Sequence, residues 1–167
     1  AAFSGWSGAC TGPGACAITM TAARSVTATF IPRGVLYAIR DSDDVLQRGN
    51  ADAGAFTDVG ALGVAYAFGD CAFNTATDVL YAVDGRGAKS LYRVSLTTGA
   101  ATLVGAHNVT DMFALAYDAG NGLLYGVASD GNLYRFNTTS GAATLVGATG
   151  ATATINGLAW DTTRSRL

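Results

Sequence analysis

The sequence lacks glutamate entirely and contains a single lysine, Lys89, so all 12 of its acidic residues are aspartate. Glu and Lys are common on helix surfaces, whereas Asp, Gly, Thr and Asn favour turns and strand edges. Only 13% of the residues are charged, while 50% of the 167 residues are hydrophobic, which is enough for a sizeable core. The composition therefore predicts an all-β chain.

Two further absences exclude whole classes of function. No stretch rich in Lys and Arg is present to contact phosphates, and the formal net charge is −2, so we expect no nucleic-acid partner. No apolar run approaches the roughly 18 residues that a membrane-spanning helix needs, so we expect no membrane span. Residues 1–8 lack the charged start and apolar run of a signal peptide, which is typical of a piece excised from a longer protein.

A repeat of 44 residues is the strongest pattern in the chain. The strings VLYAIR, VLYAVD and LLYGVA place Tyr37, Tyr81 and Tyr125 at successive intervals of 44 residues. A period of about 40 to 45 residues is typical of the four-stranded blade of a β-propeller. We name the four predicted strands of a blade a, b, c and d, and these three strings are the b strands.

The other predicted strands recur around the b strands. Strand a has an aromatic residue in a shared slot, at Phe73, Tyr117 and Trp160. Strand c contains Leu two residues before Arg, starting at Leu46, Leu91 and Leu133. A turn glycine follows, at Gly54, Gly99 and Gly141, and strand d then ends in Val-Gly, at Gly60, Gly105 and Gly147. The order is b, c, d, then two complete units, then a, which predicts a partial propeller of about three blades over residues 34–167.

Three blades are too few for a closed ring, since propellers typically have four to eight. We expect the ring to be completed by missing blades or by self-association through open sheet edges. The repeat resembles the NHL and related secreted families of bacterial propellers, in which a GLA-aromatic-Asp strand precedes an LY strand and an L-Y-R-I strand. The resemblance covers roughly residues 34–167 and implies a propeller fold in a secreted bacterial protein.

The first 33 residues differ from the repeat. Alternating runs at residues 17–22 and 25–30, separated by Ala23 and Arg24, predict a β-hairpin. Residues 1–30 also resemble the end of a divergent internalin-B-type surface repeat, with its Gly-Trp-Ser-Gly start, two cysteines around a Gly-rich loop, and closing Val-Thr-Ala-Thr-Phe. The resemblance implies that residues 1–33 form a spacer module in an extracellular or cell-surface bacterial protein.

The three cysteines have different predicted roles. Cys10 and Cys16 flank the flexible string TGPGA, which can bring their side chains together, and an oxidising location would let a disulfide persist. Closing so short a loop fixes the turn rather than the domain. Cys71 takes the place that Leu115 and Leu158 occupy in the other copies of strand a, so we expect a small buried hydrophobic residue there.

Motifs that suggest catalysis or metal binding are incomplete. The string GWSGA at residues 5–9 nearly matches the G-x-S-x-G nucleophile elbow, but that motif needs a strand-to-helix junction and a histidine base. His107 is the only histidine and no C-x-x-C pair exists, which excludes a structural zinc site. Asp41, Asp43 and Asp44 lack the glycine, spacing and distal Glu of a calcium loop, which favours a solvated turn. We assign no catalytic residue, metal or cofactor.

Strand direction sorts the loops into two groups. Because successive strands alternate in direction, the b-to-c and d-to-a loops must share one face of the propeller, and the a-to-b and c-to-d loops the other. The first face is a candidate binding face, and its polar residues are Asp41, Asp43, Asp44, Asp70, Asp84, Arg86, Lys89, His107, Asp111 and Asp130. The alternative is that these are ordinary solvated turns. The recurring residues of strand a, Asn74, Asp118 and Asp161, are predicted to fix the a-to-b turns.

Three functional hypotheses follow. The first is a non-catalytic extracellular or cell-surface module that binds a protein or carbohydrate ligand, because the repeats carry no catalytic constellation. The second is a propeller enzyme of the lactonase, lyase or glycoside-cleaving kind whose catalytic residues lie mostly in missing blades. The third is an architectural protein of a surface layer or matrix that assembles through its sheet edges.

Overall fold

A computed structural model describes residues 2–19, 21–31, 34–151 and 157–167. Within these ranges every regular element is a β-strand, which confirms the predicted all-β class. The strands are β1 (Ala2–Gly8), β2 (Val26–Ile31), β3 (Val35–Arg40), β4 (Val45–Asn50), β5 (Ala55–Ala61), β6 (Gly69–Asn74), β7 (Val79–Asp84), β8 (Ser90–Val94), β9 (Ala101–Ala106), β10 (Met112–Asp118), β11 (Leu123–Ala128), β12 (Asn132–Phe136) and β13 (Ala143–Ala148). The described part of the chain contains no helix long and apolar enough to cross a membrane.

The chain forms two compact units, one of Ala1–Leu36 with Gly49–Phe56 and one of Tyr37–Arg48 with Thr57–Leu167. In the first unit, β1 and β2 form an antiparallel two-stranded sheet. The prediction that residues 17–22 pair with the following strand is wrong, because β1 is the partner of β2, and the described residues of 17–22 lie in no strand. Met20 of that run lies outside the described residues.

Aromatic packing explains this choice of partner strand. The Phe3 ring lies 4.9 Å from the Trp6 ring and 5.7 Å from the Phe30 ring, so β1 brings two large side chains to β2. The described residues of 17–22 have only one large apolar side chain, Ile18, to offer. The predicted disulfide between Cys10 and Cys16 is confirmed, with 5.7 Å between the two Cα atoms. The Trp6 indole N–H donates to the Gly14 carbonyl inside the disulfide loop, at 2.9 Å.

Three antiparallel sheets reproduce the predicted repeat. We call them blade 1 (β3, β4, β5), blade 2 (β6 to β9) and blade 3 (β10 to β13), and in each sheet neighbours along the chain are neighbours in space. Strands β6 and β10 are the a strands, and blade 1 begins with its b strand. The three b strands have the predicted bounds, because alternating Leu, Tyr and Val side chains suit a strand that packs on both faces. The fold is therefore a partial β-propeller.

The predicted a-to-b turns are confirmed at all three positions. Asn74 Oδ1 accepts the Ala76 N–H, Asp118 Oδ1 accepts the Gly120 N–H, and Asp161 Oδ1 accepts the Thr163 N–H, each at 2.9 Å. A short side-chain oxygen that accepts the N–H two residues on closes the turn locally. The recurrence of these residues therefore has a structural cause.

The predicted fourth a strand is not formed. Leu158 and the two residues after it lie in no strand, and Asp161 makes only an isolated bridge to Arg166. A strand needs a hydrogen-bonded neighbouring strand, and residues 158–160 have none in the described part of the chain. Their aromatic side chain nevertheless takes its predicted place, because the Trp160 ring stacks on Tyr125 at 6.4 Å.

The hydrophobic core lies between adjacent sheets. One cluster fills the space between blades 1 and 2 and contains Leu46, Leu62, Leu80 and Val94. A second cluster lies between blades 2 and 3 and contains Leu91, Met112, Leu115 and Leu124. Complete burial of a side chain of this size contributes roughly 1.5–3 kcal/mol. Contact between blades therefore holds the propeller portion together.

Glycines allow the blades to approach each other closely. A Cβ added at Gly60 would lie 2.1 Å from the Thr98 carbonyl oxygen, and one added at Gly99 would lie 2.2 Å from the Gly60 carbonyl oxygen. The same reciprocal contact recurs one blade further on, between Gly105 and Gly141. Each contact joins the end of a d strand to the c-to-d turn of the next blade, where only glycine leaves room.

Candidate functional site

The predicted grouping of loops on one face is confirmed by backbone hydrogen bonds. The Gly85 N–H donates to the Phe68 carbonyl at 2.9 Å, and the Asp111 N–H donates to the Gly85 carbonyl at 2.8 Å. The Ser129 N–H in turn donates to the Asp111 carbonyl at 2.9 Å. Each of these bonds connects a b-to-c loop to a d-to-a loop. We use the name loop face for residues 41–44, 62–68, 85–89, 107–111 and 129–131.

Blade 1 contributes three aspartates to the loop face, and two of them support a neighbouring loop. Asp41 Oδ1 accepts the Phe68 N–H and Asp44 Oδ1 accepts the Tyr66 N–H, each at 3.2 Å. Asp43 instead forms an exposed ion pair with Arg40, at 2.6 Å, and Arg40 also contacts Asp58. The Arg40 guanidinium lowers the pKa of the Asp43 carboxyl. Two of the three aspartates therefore shape the loop at residues 62–68.

Asp84 organises the b-to-c loop of blade 2 from a buried position. Its side chain is inaccessible to solvent. Oδ1 accepts the N–H groups of Arg86 at 3.1 Å and Gly87 at 2.8 Å, and Oδ2 accepts the N–H of Ala88 at 2.5 Å. Three bonds to one carboxylate fix the conformation of the loop. Asp84 therefore positions the loop and does not reach a ligand.

His107 is also buried, with 4% of its surface exposed. The Val109 N–H donates to Nδ1 at 3.2 Å, so Nδ1 carries no hydrogen, and Nε2–H donates to the Asp84 carbonyl at 3.1 Å. The edge of the ring meets the Phe136 ring at 5.6 Å. The neutral imidazole therefore joins the two central loops of the loop face, and its burial lowers the pKa of His107 below the ordinary value of 6.5.

The lowered pKa of His107 predicts a pH-dependent stability. The folded chain binds fewer protons at this site than the unfolded chain, so the free energy of unfolding falls as the pH drops below about 6.5 towards the folded pKa. Urea titrations near pH 7.5 and pH 5 measure this change, and His107→Gln is expected to remove it. Burial raises the pKa of Asp70, which makes the free energy of unfolding change with pH in the opposite direction. Asp70 is present in both proteins, so its contribution cancels in the comparison. Equal pH dependence in both proteins would contradict the prediction.

A cluster of aromatic and charged side chains, of which Phe68 and Arg86 are exposed, lies on the loop face and at the adjoining start of β10. The Arg86 Nε–H donates to Asp111 Oδ1 at 2.5 Å. The Arg86 guanidinium carbon lies 4.0 Å from the centre of the Phe68 ring and 5.3 Å from that of Phe113. Cations over aromatic faces at such distances attract the ring electrons. We call Phe68, Arg86, Asp111 and Phe113 the Arg86 cluster.

The backbone at Phe68 is unusual for so large a residue. Its φ is +49°, in the left-handed region, and 53% of its surface is exposed. This conformation is uncommon for bulky side chains, and strain of this kind concentrates at functional sites. The N–H of Phe68 donates to Asp41, and its carbonyl accepts from Gly85, so the loop holds the residue in this conformation from both sides.

Three other residues of the predicted binding face, Lys89, Asp70 and Asp130, make contacts outside the Arg86 cluster. The Lys89 ammonium donates to Thr110 Oγ1 at 3.0 Å, beside Asp111. Asp70 Oδ2 accepts the Leu115 N–H at 2.8 Å, which ties strand a of blade 2 to strand a of blade 3. Asp130 is exposed in the turn of blade 3, where it accepts the Tyr134 hydroxyl at 2.7 Å. Burial tends to raise the pKa of Asp130, but bonds from Tyr134 and Asn132 outweigh it, so the pKa is lowered.

Sequence reasoning found Arg86 and Asp111 but missed Phe68 and Phe113. Phe113 lies in β10, and Phe68 directly precedes β6, at the equivalent end of the inner strand of blade 2. An aromatic residue just ahead of the repeated a motif in both complete blades was the available signal. The contact with Arg86 was not readable, because it depends on loops that meet only in the folded chain.

The inner a strands line an apolar groove. A cavity of about 300 Å³ lies along them and is lined by Cys71, Leu115 and Trp160 among others. Cys71 is half-buried, and burial raises the pKa of its thiol to about 12. In the ranges that the structure describes, no three His, Cys or Asp side chains are close enough to hold a metal ion. The loop face is therefore the more polar candidate site.

One protein family and two solved structures are similar to this chain. The family described as "Repeat of unknown function (DUF6923)" matches residues 34–167. No curated protein matches the chain. A protein of unknown function from Bacteroides thetaiotaomicron VPI-5482 is similar in structure, with a TM-score of 0.60 and 22% identity over 78% of this chain and 34% of that one. A chain in the nidogen/laminin complex has a TM-score of 0.59 and 14% identity over 78% of this chain and 50% of that one.

These likenesses concern the fold alone, because both identities are low. This chain spans about a third of the length of the first solved chain and half of the second. Together with the family match, they support the predicted resemblance at the level of a repeat propeller.

Proposed function

The chain belongs to the family described as a repeat of unknown function (DUF6923), and from this premise we propose that it is a non-catalytic binding module whose loop face contacts the ligand. The Arg86 cluster carries this proposal. Phe68 is the only large hydrophobic residue of the loop face that is more exposed than buried among the described residues. An aromatic residue that is exposed and held in an unfavourable backbone conformation is accounted for by contact with a partner.

The hydrogen bonding of the loop face favours binding over catalysis. Asp84 and His107, two buried titratable groups beside the loops of this face, are fully engaged with the loop backbone. Among the described residues, no buried side-chain nitrogen or oxygen lacks a hydrogen-bond partner. A catalytic acid or base needs a free atom directed at the substrate. The polar groups here instead make the loop face rigid, which lowers the entropy lost on binding.

A protein is the ligand that this surface favours. Arg and large aromatic residues are enriched among the side chains that contribute most to protein–protein binding. The nidogen/laminin complex includes a chain of similar fold in a complex between proteins, which supports the same role here. A carbohydrate that stacks on Phe68 and bonds to Asp111 is the second candidate.

We place the module outside the cell, at a bacterial surface. The disulfide between Cys10 and Cys16 is compatible with an oxidising compartment. Residues 1–33 serve as a spacer in this proposal, as their resemblance to an internalin-B-type repeat implies.

Substitution of the Arg86 cluster tests the binding role. The immobilised chain is screened against panels of extracellular proteins and polysaccharides by biolayer interferometry. For the best binder, Phe68→Ala and Arg86→Ala are each expected to raise the Kd about 30-fold, which corresponds to roughly 2 kcal/mol for a central contact residue. Phe56→Ala is the matched control, because Phe56 is similarly exposed, at 43%, but lies in β5.

Three outcomes have different meanings for this proposal. A Kd that changes equally in the control and in the two cluster variants would place binding elsewhere. Turnover of a substrate by the folded chain would contradict the non-catalytic role. Binding of polysaccharides alone, weakened by Phe68→Ala, would keep the loop face as the site and change the ligand class.

A further inference from the structure

His107 closes the turn at the start of the d-to-a loop between blades 2 and 3. Its ring Nδ1 accepts the N–H of Val109, two residues on, at 3.2 Å. Asn108 lies between them with a φ of +58°, in the left-handed region that Asn adopts more readily than most residues. In other turns of this chain, Asn74 Oδ1 and Asn137 Oδ1 accept the N–H two residues on at 2.9 Å. The imidazole therefore supplies the acceptor that a short polar side chain supplies in those turns.

The other ring nitrogen joins this turn to the b-to-c loop of blade 2. Nε2–H donates to the Asp84 carbonyl at 3.1 Å. The backbone N–H groups of His107 and Asn108 both donate to the Lys89 carbonyl, at 2.8 Å and 3.3 Å. Lys89 has a φ of +48°, so both loops hold a residue in the left-handed region where they meet. The junction between the loops therefore depends on an imidazole with one acceptor nitrogen and one donor nitrogen.

The turn leads directly into the Arg86 cluster. Asp111 lies two residues beyond Val109, has a φ of +55°, and accepts the Nε–H of Arg86 with its carboxylate. The Asp111 N–H donates to the carbonyl of Gly85, the residue before Arg86, at 2.8 Å. Asp111 is thus held between the same two loops that the imidazole joins. A shift of the turn must therefore move the carboxylate that fixes Arg86 beside Phe68.

A second proton on the imidazole is incompatible with this turn. Both ring nitrogens of the imidazolium are donors, so Nδ1–H would face the Val109 N–H, and neither could accept. The Val109 N–H can regain an acceptor only if the turn opens to water. A charged ring also needs solvation, whereas His107 is 4% exposed in the closed turn. Opening of the turn satisfies both requirements.

The charged groups around the ring act on this proton in both directions. On the b-to-c side, the Asp84 carboxylate favours the imidazolium and the Lys89 ammonium disfavours it. The ring's own loop contributes the carboxylate of Asp111, which is already in an ion pair. From β12 the neighbouring side chain is Phe136, which carries no charge. Burial is the largest influence and lowers the pKa of His107, so the folded chain holds a neutral ring at neutral pH.

We propose that His107 is a pH-sensitive switch of the loop face. Gain of a proton opens the turn at residues 107–109 and breaks the contacts of the Arg86 cluster, so the module binds its protein partner at neutral pH and releases it in mild acid. The release of a partner rests on the proposed function, whereas the opening of the turn does not. Because the partner and the proton favour opposite states of the turn, each weakens the binding of the other.

The single histidine makes the switch observable by NMR without a partner. Near pH 7.5 the ring is expected to have an unprotonated Nδ1 and a protonated Nε2. On acidification, the amide signals of Val109, Asp111 and Arg86 are expected to shift with the same midpoint as the ring. In His107→Asn, whose Oδ1 can accept the Val109 N–H and does not titrate, this transition is expected to be absent. His107→Gln is a second variant without a titrating ring, and the aspartates are common to all three proteins.

Two results of the NMR titration would overturn the switch. The first is a ring that gains its proton while the loop amides stay unchanged. The second is a far-ultraviolet spectrum that shows global unfolding before the ring gains its proton.

The binding measurement uses the protein of the panel that binds best at pH 7.5. One pH unit below the midpoint of the ring, about nine-tenths of the free chains carry the imidazolium, so the Kd is expected to rise about 10-fold. The Kd of His107→Asn is expected to show no such rise. A wild-type Kd that does not rise, or an equal rise in both proteins, would overturn the control of binding by His107. If no panel protein binds, the proposed function fails, and the NMR titration still decides whether the switch exists.

Discussion

Asp84→Ala is expected to lower the free energy of unfolding by about 2–4 kcal/mol, since a hydrogen bond to a charged group contributes roughly 1.5–3 kcal/mol and the loop N–H groups can recover part of this from water. The carboxylate is inaccessible to solvent and accepts three backbone N–H groups in succession. No neighbouring side chain can take over these bonds without moving the loop at residues 85–89. Urea unfolding followed by circular dichroism measures the loss.

Asp84→Asn removes the negative charge of the side chain but keeps its shape. Its carbonyl oxygen can keep the N–H groups of Arg86 and Gly87, but its amide N–H₂ then faces the N–H of Ala88. We expect a loss of about half that of Asp84→Ala, because two bonds survive and one becomes a contact between donors. Asp43→Ala, which removes only an exposed ion pair with Arg40, is the control and is expected to have a much smaller effect. Equal stability of Asp84→Ala and wild type would contradict the positioning role.

The strands of the propeller were largely predictable from the sequence, whereas two terminal features were not. The b strands repeat at a constant interval and alternate apolar side chains, so their bounds follow from the pattern alone. The partner of β2 depends on contact between Phe3, Trp6 and Phe30, which are distant in sequence. The a-type residues 158–161 have the right sequence but no neighbouring strand. Local pattern therefore predicts a strand only where the fold also supplies its partner.

The candidate site was predictable in position but not in detail. Alternating strand direction places the loops of Asp84, Asp111 and Asp130 on one face, as the structure confirms. Composition cannot tell which of these aspartates is buried, because Asp84 ends its b strand and Asp130 lies only two residues beyond the next one. Their difference arises from the loops: that of Asp84 turns back over its carboxylate, while the short turn of blade 3 leaves Asp130 exposed.

Gly105→Ala is expected to lower the free energy of unfolding by about 2–4 kcal/mol, at or above the usual cost of overpacking. The added Cβ would lie 2.0 Å from the carbonyl oxygen of Ser140 and 2.9 Å from its carbon. The Ser140 turn cannot easily yield, because Asn137 Oδ1 accepts the N–H groups of Thr139 and Ser140 at 2.9 Å and 3.0 Å. Blades 2 and 3 must then separate and loosen the core around Met112.

The comparison is made in a Gly147→Ala background, so that both proteins carry alanine at the equivalent position of blade 3. Gly147 occupies the same position in blade 3, and its added Cβ meets no atom of the described residues within 4 Å. The same chemical change is therefore expected to be harmless at Gly147 and costly at Gly105, where the added Cβ meets the turn of blade 3. Urea unfolding of Gly147→Ala and of the double variant with Gly105→Ala measures the cost of the contact between blades. Equal stability of the two proteins would mean that the blades can move apart freely, and the requirement for glycine at this contact would be wrong.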